Sequence, residues 1–185
     1  MKEIEVKFKV EDIEAIEQAL IEAGVELGEV IEQRDMSFAP EDWVRGEDAP
    51  LQVPFLRIRR QGNKSILTMK KPIENHLDRI EHETEISNPD EARKLIEQIG
   101  FVQDVEVNKA RRKAKMGEYE ICVDRIELLG DFIEIEKLVD DDADGVAIQK
   151  EIRKVLVDLV GSEEGIEEVD RGYDILMAEY LKKTT

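Results

Sequence analysis

Cysteine, aromatic residues and long apolar runs are all scarce in this chain of 185 residues. The single cysteine, Cys122, excludes an internal disulfide framework and fits a reducing compartment. Apolar runs extend over only a few residues, so we expect no segment that spans a bilayer. The first residues, MKEIEVKF, alternate charged and apolar side chains, so we also expect no cleaved leader. These features predict a soluble, cytoplasmic protein.

Basic residues are also far fewer than acidic ones. The chain has 45 acidic and 27 basic residues, which gives a net charge of -18. Such a surface repels nucleic acids and anionic membranes, so we expect neither as a partner. Whether an anionic small molecule can bind depends on where the 27 bases lie.

Alternation and turn signals predict about eight strands, with helices between and after them. The predicted strands cover residues 2–10, 29–38, 54–61, 64–71, 79–87, 101–115, 118–126 and 131–138. The predicted helices cover residues 11–24, residues 90–99 and two pieces of 141–181 that separate near Gly161-Ser162. We therefore predict one α+β domain over residues 1–185, dominated by an antiparallel sheet, with the C-terminal helices packed on it.

Charged residues recur at alternate positions of these strands, as in Glu3-Ile4-Glu5-Val6-Lys7. Residues of one parity share a face of a strand. The predicted helices have apolar stripes that must bury against the apolar strand faces, so the charged faces all point to the other side. That side becomes a charged channel if the eight strands close into a barrel, which is the architecture we predict.

The charges proposed for the inner face are balanced. The acids are Glu3, Glu5, Glu81, Glu83, Glu85, Asp124, Glu134 and Glu136. The bases are Lys7, Arg57, Arg59, Lys70, Arg79, Lys109, Arg111 and Lys113. Clustered carboxylates bind a hard cation such as Mg²⁺ or Mn²⁺, and clustered Arg and Lys bind phosphate oxygens. The pattern therefore indicates a metal-bound polyphosphate, although the charged faces of a purely structural domain would pair with each other in the same way.

Six sequence blocks, in order, resemble the CYTH superfamily, the triphosphate tunnel metalloenzymes. The first is the ExExK signature at Glu3-Ile4-Glu5-Val6-Lys7. The others are Leu56-Arg57-Ile58-Arg59, Leu67-Thr68-Met69-Lys70-Lys71-Pro72, Arg79 with Glu81, Glu83 and Glu85, Val107-Asn108-Lys109-Ala110-Arg111-Arg112, and the pair Cys122-Val123-Asp124-Arg125 and Leu129-Gly130-Asp131-Phe132-Ile133-Glu134-Ile135-Glu136. The last block looks most like the class IV adenylyl cyclase branch.

The resemblance implies a role for each matching residue. The implied metal ligands, for Mg²⁺ or Mn²⁺, are Glu3, Glu5, Asp124, Glu134 and Glu136. The implied substrate-binding residues are Lys7, Arg57, Arg59, Lys70, Arg79, Lys109 and Arg111. The implied catalytic residues are Glu3, Glu5, Lys7 and Asp124.

The resemblance also implies a triphosphate ligand more firmly than a reaction. A cyclase converts ATP to cyclic AMP and pyrophosphate, whereas other members of the family hydrolyse thiamine triphosphate or inorganic triphosphate. A non-catalytic binder of a polyphosphate or nucleotide is a further alternative. As an oligomer, the protein is expected to be a monomer or a homodimer.

Three stretches depart from the family pattern. Ser37 stands where a tyrosine is usual, the loop that contains Trp43 is longer than typical, and Gly172-Tyr173 replaces a Ser-Tyr pair. No general base is identified, because His76 and His82 are better explained as structural residues. Cys122 is interpreted as buried packing. Phe132 either stacks on a base or fills the barrel.

Overall fold

The computed structural model describes residues 2–43, 51–75, 78–161 and 164–184. Within these ranges the chain forms nine strands and four helices. The strands are β1 (Lys2–Val10), β2 (Ile31–Pro40), β3 (Phe55–Gln61), β4 (Lys64–Asn75), β5 (Asp78–Glu85), β6 (Phe101–Met116), β7 (Tyr119–Ile126), β8 (Gly130–Val139) and β9 (Ile166–Val169). The helices are α1 (Ile13–Glu22), α2 (Pro89–Gln98), α3 (Gly145–Val160) and α4 (Tyr173–Thr184).

Eight antiparallel strands close into a barrel in the order β1-β5-β4-β3-β2-β6-β7-β8. Among the described residues, β5 pairs with β1 at Glu3 and Ile4, and these pairs close the barrel. Farther along the same edge of β1, residues 7–10 pair with β9. The predicted α+β fold and the closed eight-stranded barrel are therefore confirmed.

The alternation within β1 decides which side chains face outward. Ile4, Val6 and Phe8 are buried outside the barrel, in a core that also contains Ile13 of α1 and Ile152 of α3. Each such side chain contributes roughly 1.5–3 kcal/mol through burial. The alternate residues of β1 are consequently fixed on the inner face.

The ends of the helices are set by local capping residues. The Asp12 side chain accepts a hydrogen bond from the Ala15 N–H, and Asn88 accepts one from the Glu91 N–H. Asp144 caps α3 in the same way. Gly161, with a φ of 73°, ends α3 in a left-handed conformation that glycine adopts without strain.

One end of the barrel is filled by apolar side chains beneath α4. Phe132 of β8 packs there with Val105 and Val107 of β6 and with Tyr173 and Met177 of α4. We call this cluster the apolar plug. It places the start of α4 against the barrel interior.

The C-terminal region contains two helices, α3 and α4, as predicted, together with a strand that was not predicted. The four residues of β9 form a strand between α3 and α4, because β1 offers a free edge beyond the point where β5 pairs with it. No helix among the described residues has both the length and the apolar character needed to cross a membrane.

Candidate active site

The barrel encloses a charged cavity of about 710 Å³ that all eight of its strands line. Ten acids and ten bases line it, so the net charge of -18 belongs to the rest of the chain. Eleven residues predicted to bind metal or substrate are among them, namely Glu3, Glu5, Lys7, Arg57, Arg59, Lys70, Arg79, Lys109, Arg111, Glu134 and Glu136. The structure thus brings these residues together in one site.

Two acids that were predicted to face inward do not line the cavity. Glu85 is exposed at the end of β5, where its carboxylate lies 3.2 Å from Lys64 Nζ. Its register partner Ile66 lines the cavity, so Glu85 has the predicted inward parity, but it lies at the end of β5, where its side chain reaches solvent instead of the cavity. Asp124 is fully buried behind the lining.

Asp124 holds Arg111 in place. Arg111 Nε donates to Asp124 Oδ1 at 2.6 Å, and Arg111 Nη2 contacts both Asp124 and Glu134. The Tyr173 hydroxyl donates to Asp124 Oδ2 at 2.9 Å. Burial raises the pKa of Glu134, but the charges of Arg111 and Lys7 outweigh burial and hold that pKa well below its usual value.

A group of three carboxylates lies at the β1–β8 wall. Oxygen atoms of Glu3, Glu5 and Glu136 all lie within 4.8 Å of one another. Arg79 contacts Glu3 at 3.1 Å and also contacts Glu5. No Lys or Arg nitrogen of the described residues forms an ion pair with Glu136. We call these three residues the carboxylate triad.

The environment of Glu136 favours a divalent cation. Burial raises its pKa well above 4.5, and the negative charges of Glu3, Glu134 and Glu5 raise it further. A bound cation would relieve this repulsion, and oxygen ligands are those that Mg²⁺ and Mn²⁺ prefer. The residues of the carboxylate triad therefore fit a hard divalent cation.

A second acidic group contains Glu120, Cys122 and Glu136. Burial raises the pKa of the Cys122 thiol, so the thiolate that a metal would need is disfavoured. The side chain is completely buried. Its interpretation as packing agrees with this environment.

The opposite wall, formed by β2, β3 and β6, carries bases around a single acid, Asp35. Arg59 donates to both oxygens of Asp35 at 2.8 Å, and Arg57 lies 3.9 Å from the same carboxylate. Although burial raises the pKa of Asp35, the Arg59 hydrogen bonds and the neighbouring positive charges hold it well below its usual value. We call Asp35, Arg57, Arg59 and Lys109 the basic wall.

Between the two walls, Glu81 of β5 links further bases. Its carboxylate contacts Lys70 Nζ at 2.5 Å and Arg57 at 3.6 Å. Burial raises its pKa, but the charges of Lys70, Arg57 and Arg79 bring the pKa to about 2. Lys70 and Arg57 therefore form ion pairs with Glu81 and still line the cavity.

Sequence reasoning missed the inward face of β2 and the role of Tyr173. Gln33, Asp35 and Ser37 line the cavity, and their shared parity was a usable signal. Tyr173 also lines it, but its place depends on how α4 docks. Of the other candidates, His82 is exposed and His76 lies outside the described residues.

The choice for Phe132 is also resolved by its contacts. It is buried in the apolar plug, edge-on to the Tyr173 ring with centroids 5.2 Å apart. Of the two alternatives for Phe132, the structure therefore favours filling the barrel.

The CYTH domain family matches residues 1–171. The chain belongs to the CYTH family. A Methanocaldococcus jannaschii relative named "Putative adenylate cyclase" is 26% identical over 170 residues, which cover 90% of this CYTH chain and 94% of the relative. The "Adenylate cyclase CyaB" of Aeromonas hydrophila is 27% identical over 143 residues, covering 76% of this chain and 71% of that protein.

A solved structure resembles this CYTH protein over its whole length. The PH1819 protein of Pyrococcus horikoshii superimposes with a TM-score of 0.76 at 27% identity, covering 98% of this chain and 99% of that one. The family predicted from the sequence is confirmed. The roles assigned to individual residues stay predictions.

Proposed function

We propose that this CYTH protein is a metal-dependent enzyme that converts ATP to cyclic AMP and pyrophosphate in the barrel cavity. One observation carries the proposal: the carboxylate triad and the basic wall face the same cavity. A triphosphate has oxygen atoms for both, since a divalent cation and arginine side chains each bind phosphate oxygens.

Glu3, Glu5 and Glu136 are the residues that would hold Mg²⁺ or Mn²⁺. When bound, the cation would supply Lewis-acid neutralisation of the phosphate charge. Asp124 and Glu134 are further proposed ligands from the family pattern. Since Asp124 bonds Arg111 and Tyr173, its contacts favour a role in positioning Arg111.

The bases of the cavity would bind and orient the triphosphate. Arg57, Arg59 and Lys109 present positive charge from the basic wall, while Lys7 and Arg111 lie beside Glu134. Lys70 and Arg79 complete the proposed set at the β4–β5 wall. Fixing the ligand in this way supplies orientation and electrostatic stabilisation, which dominate catalysis of phosphoryl-type transfers.

In the cyclase reaction, the ribose 3′-hydroxyl oxygen forms a bond to the α-phosphorus. The bond from that phosphorus to the bridging oxygen breaks, pyrophosphate leaves with that oxygen, and the hydroxyl proton is released to solvent. The names of the Methanocaldococcus and Aeromonas relatives support this reaction.

The second candidate is a triphosphatase, acting on inorganic triphosphate, thiamine triphosphate or a nucleoside triphosphate. The triphosphatase is favoured because the cavity offers little aromatic surface on which a nucleotide base could stack. Phe55 and Tyr173 line the cavity, but Lys7 and Lys109 cover the Tyr173 ring at 4.2 and 4.9 Å. A ligand without a base needs no stacking surface.

A non-catalytic binder is the third candidate, and the intact carboxylate triad argues against it.

Incubation with ATP, thiamine triphosphate and inorganic triphosphate, each with Mg²⁺ or Mn²⁺, separates the candidates. Cyclic AMP and pyrophosphate in equal amounts would support the cyclase. Orthophosphate release without cyclic AMP would contradict the cyclase and support the triphosphatase. Metal-dependent binding without turnover would support the binder.

A pair of variants tests the site in the same assay. Glu3→Gln replaces one carboxylate of the carboxylate triad by a neutral amide. We expect activity to fall by at least about a hundredfold, because the metal loses a negatively charged ligand. Glu85→Gln makes the same change outside the cavity and should leave activity unchanged. Full activity of Glu3→Gln would contradict the metal assignment.

A further inference from the structure

Two buried lysines of the cavity have very different partners. Lys7 Nζ lies 3.3 Å from Glu5 and 3.2 Å from Glu134, and it donates to the Arg171 carbonyl oxygen at 3.0 Å. Lys109 is equally buried, at 4% exposure. Among the described residues, its one carboxylate within 4.0 Å is that of Asp35, at 3.8 Å. Within that part of the chain, Lys109 therefore has no close counter-ion of its own.

Asp35 is also the counter-ion of other groups. Both of its oxygens accept hydrogen bonds from Arg59, and Arg57 lies 3.9 Å away. Three cations of the basic wall thus share one carboxylate. Arg57 has two further carboxylates nearby, Glu81 at 3.6 Å and Glu83 at 3.7 Å, whereas Lys109 has none besides Asp35 among the described residues. The wall is therefore short of anionic oxygen at the position of Lys109.

The other groups that face Lys109 do not correct this shortage. Arg111 adds positive charge from β6. The carboxylates of Asp124 on β7 and Glu134 on β8 are bonded to Arg111. Tyr173 of α4 presents its ring to Lys109 Nζ at 4.9 Å. An ammonium that is buried without a hydrogen-bonded anion is costly, so its neutral form gains population.

The pKa of Lys109 reflects this environment. Burial lowers it most, and the charges of Arg111 and Arg59 lower it further, to about 7. The pKa of Lys7 shows the contrast, because the charges of Glu5 and Glu134 outweigh burial and raise it. Both lysines lie in the same cavity, so the difference comes from their counter-ions.

We propose that Lys109 is a proton-linked anchor for the ligand: its neutral amine takes up one proton from solvent when a phosphate oxygen arrives beside it. No covalent bond changes apart from this protonation; the Nζ lone pair accepts the proton and the ammonium then pairs with the phosphate. The proposal rests on the triphosphate ligand class proposed for the cavity. It deepens that proposal by making the charge of the site depend on pH and on occupancy.

The linkage makes binding weaker as pH rises. The ligand binds the protonated form, and the fraction of Lys109 protonated in the free protein falls above pH about 7. A phosphate beside Nζ stabilises the ammonium. Uptake should therefore be about 0.9 proton per ligand at pH 8 and about 0.1 at pH 6. From pH 7 to pH 9 this group alone weakens binding roughly fiftyfold.

Calorimetric titration with inorganic triphosphate tests the linkage in the absence of metal. Titrations at pH 8 in two buffers of different ionisation enthalpy give the number of protons taken up. Lys109→Arg keeps the charge but cannot lose it at this pH, so it should take up about 0.9 proton fewer than the unmodified protein. The ligand exchanges its own phosphate protons equally with both proteins and cancels in the difference.

Lys113→Arg is the matched control, because Lys113 contacts Glu120 and its pKa is raised. Its proton uptake should equal that of the unmodified protein. Binding with equal uptake by the unmodified protein and Lys109→Arg would overturn the linkage alone. Absence of inorganic triphosphate binding even at pH 6 would overturn the proposed ligand class and the linkage with it.

A measurement on the unmodified protein covers the case in which Lys109→Arg does not fold. The ¹³Cε resonances of the lysines, followed against pH, should show one lysine that titrates near 7 and moves above 9 when inorganic triphosphate is added. If every lysine titrates near its ordinary value in the free protein, the proposal is overturned.

Discussion

Glu136 lies half-buried in the cavity beside other acids, and this placement affects both stability and metal binding. Burial and the charges of Glu3, Glu134 and Glu5 raise its pKa well above 4.5. Above pH about 4.5 the unfolded chain releases this proton while the folded protein retains it. The group therefore lowers the stability of the metal-free protein as pH rises from there to its folded-state pKa, and the full penalty remains at higher pH.

Replacement of Glu136 by Gln should thus stabilise the metal-free protein at pH 7 to 8, because an amide carries no charge to bury. A gain on the order of 1 kcal/mol would raise Tm by about 2–4 °C in a chain of this size. We expect saturating Mg²⁺ to raise the Tm of the unmodified protein, and Glu136→Gln should remove that increase. Thermal unfolding with and without Mg²⁺ measures both effects.

Glu85→Gln is the control for this experiment, since Glu85 is exposed and pairs with Lys64. Its Tm should respond to Mg²⁺ as the unmodified protein does. A lower Tm for metal-free Glu136→Gln would show that the fold stabilises the Glu136 carboxylate, which would contradict the electrostatic repulsion inferred for the carboxylate triad.

At the scale of elements, alternation was sufficient to predict the barrel strands because all of them except β2 have one apolar and one charged face. The inward face of β2 was missed because Glu32 and Arg34 make its outer face polar as well, so Asp35 did not stand out. β9 is four residues long, and in the described part of the chain its one partner strand is β1. Tyr173 reaches the cavity through the docking of α4, which no local pattern specifies.

The docking of α4 can be tested through the apolar plug. Met177 is 3% exposed and packs in this cluster with Phe132 and Val105. Met177→Ala should destabilise the protein by about 2–5 kcal/mol through lost burial and the cavity left behind. Denaturant unfolding measures the change.

Leu181→Ala, on the same helix at 39% exposure, provides the comparison. It should cost less than about 0.5 kcal/mol. Equal, small effects of the two substitutions would mean that α4 does not pack on the barrel through the apolar plug.

At the scale of the whole molecule, charge is divided between a neutral interior and an acidic exterior. Ten acids and ten bases line the cavity, while the chain has a net charge of -18. The barrel also closes at the site itself, where β1 and β5 pair at Glu3 and Arg79 and the two side chains form an ion pair. The residues proposed to bind the metal therefore also hold the seam of the barrel.

The central claim is that this interior binds a triphosphate together with a divalent cation. Calorimetric titration of inorganic triphosphate into the unmodified protein and Glu3→Gln, each with and without Mg²⁺, tests it most directly. We predict that Mg²⁺ tightens binding to the unmodified protein at least about tenfold and that Glu3→Gln loses most of this gain while still binding the metal-free ligand. Equal affinity with and without Mg²⁺, or an undiminished Mg²⁺ effect in Glu3→Gln, would contradict the claim.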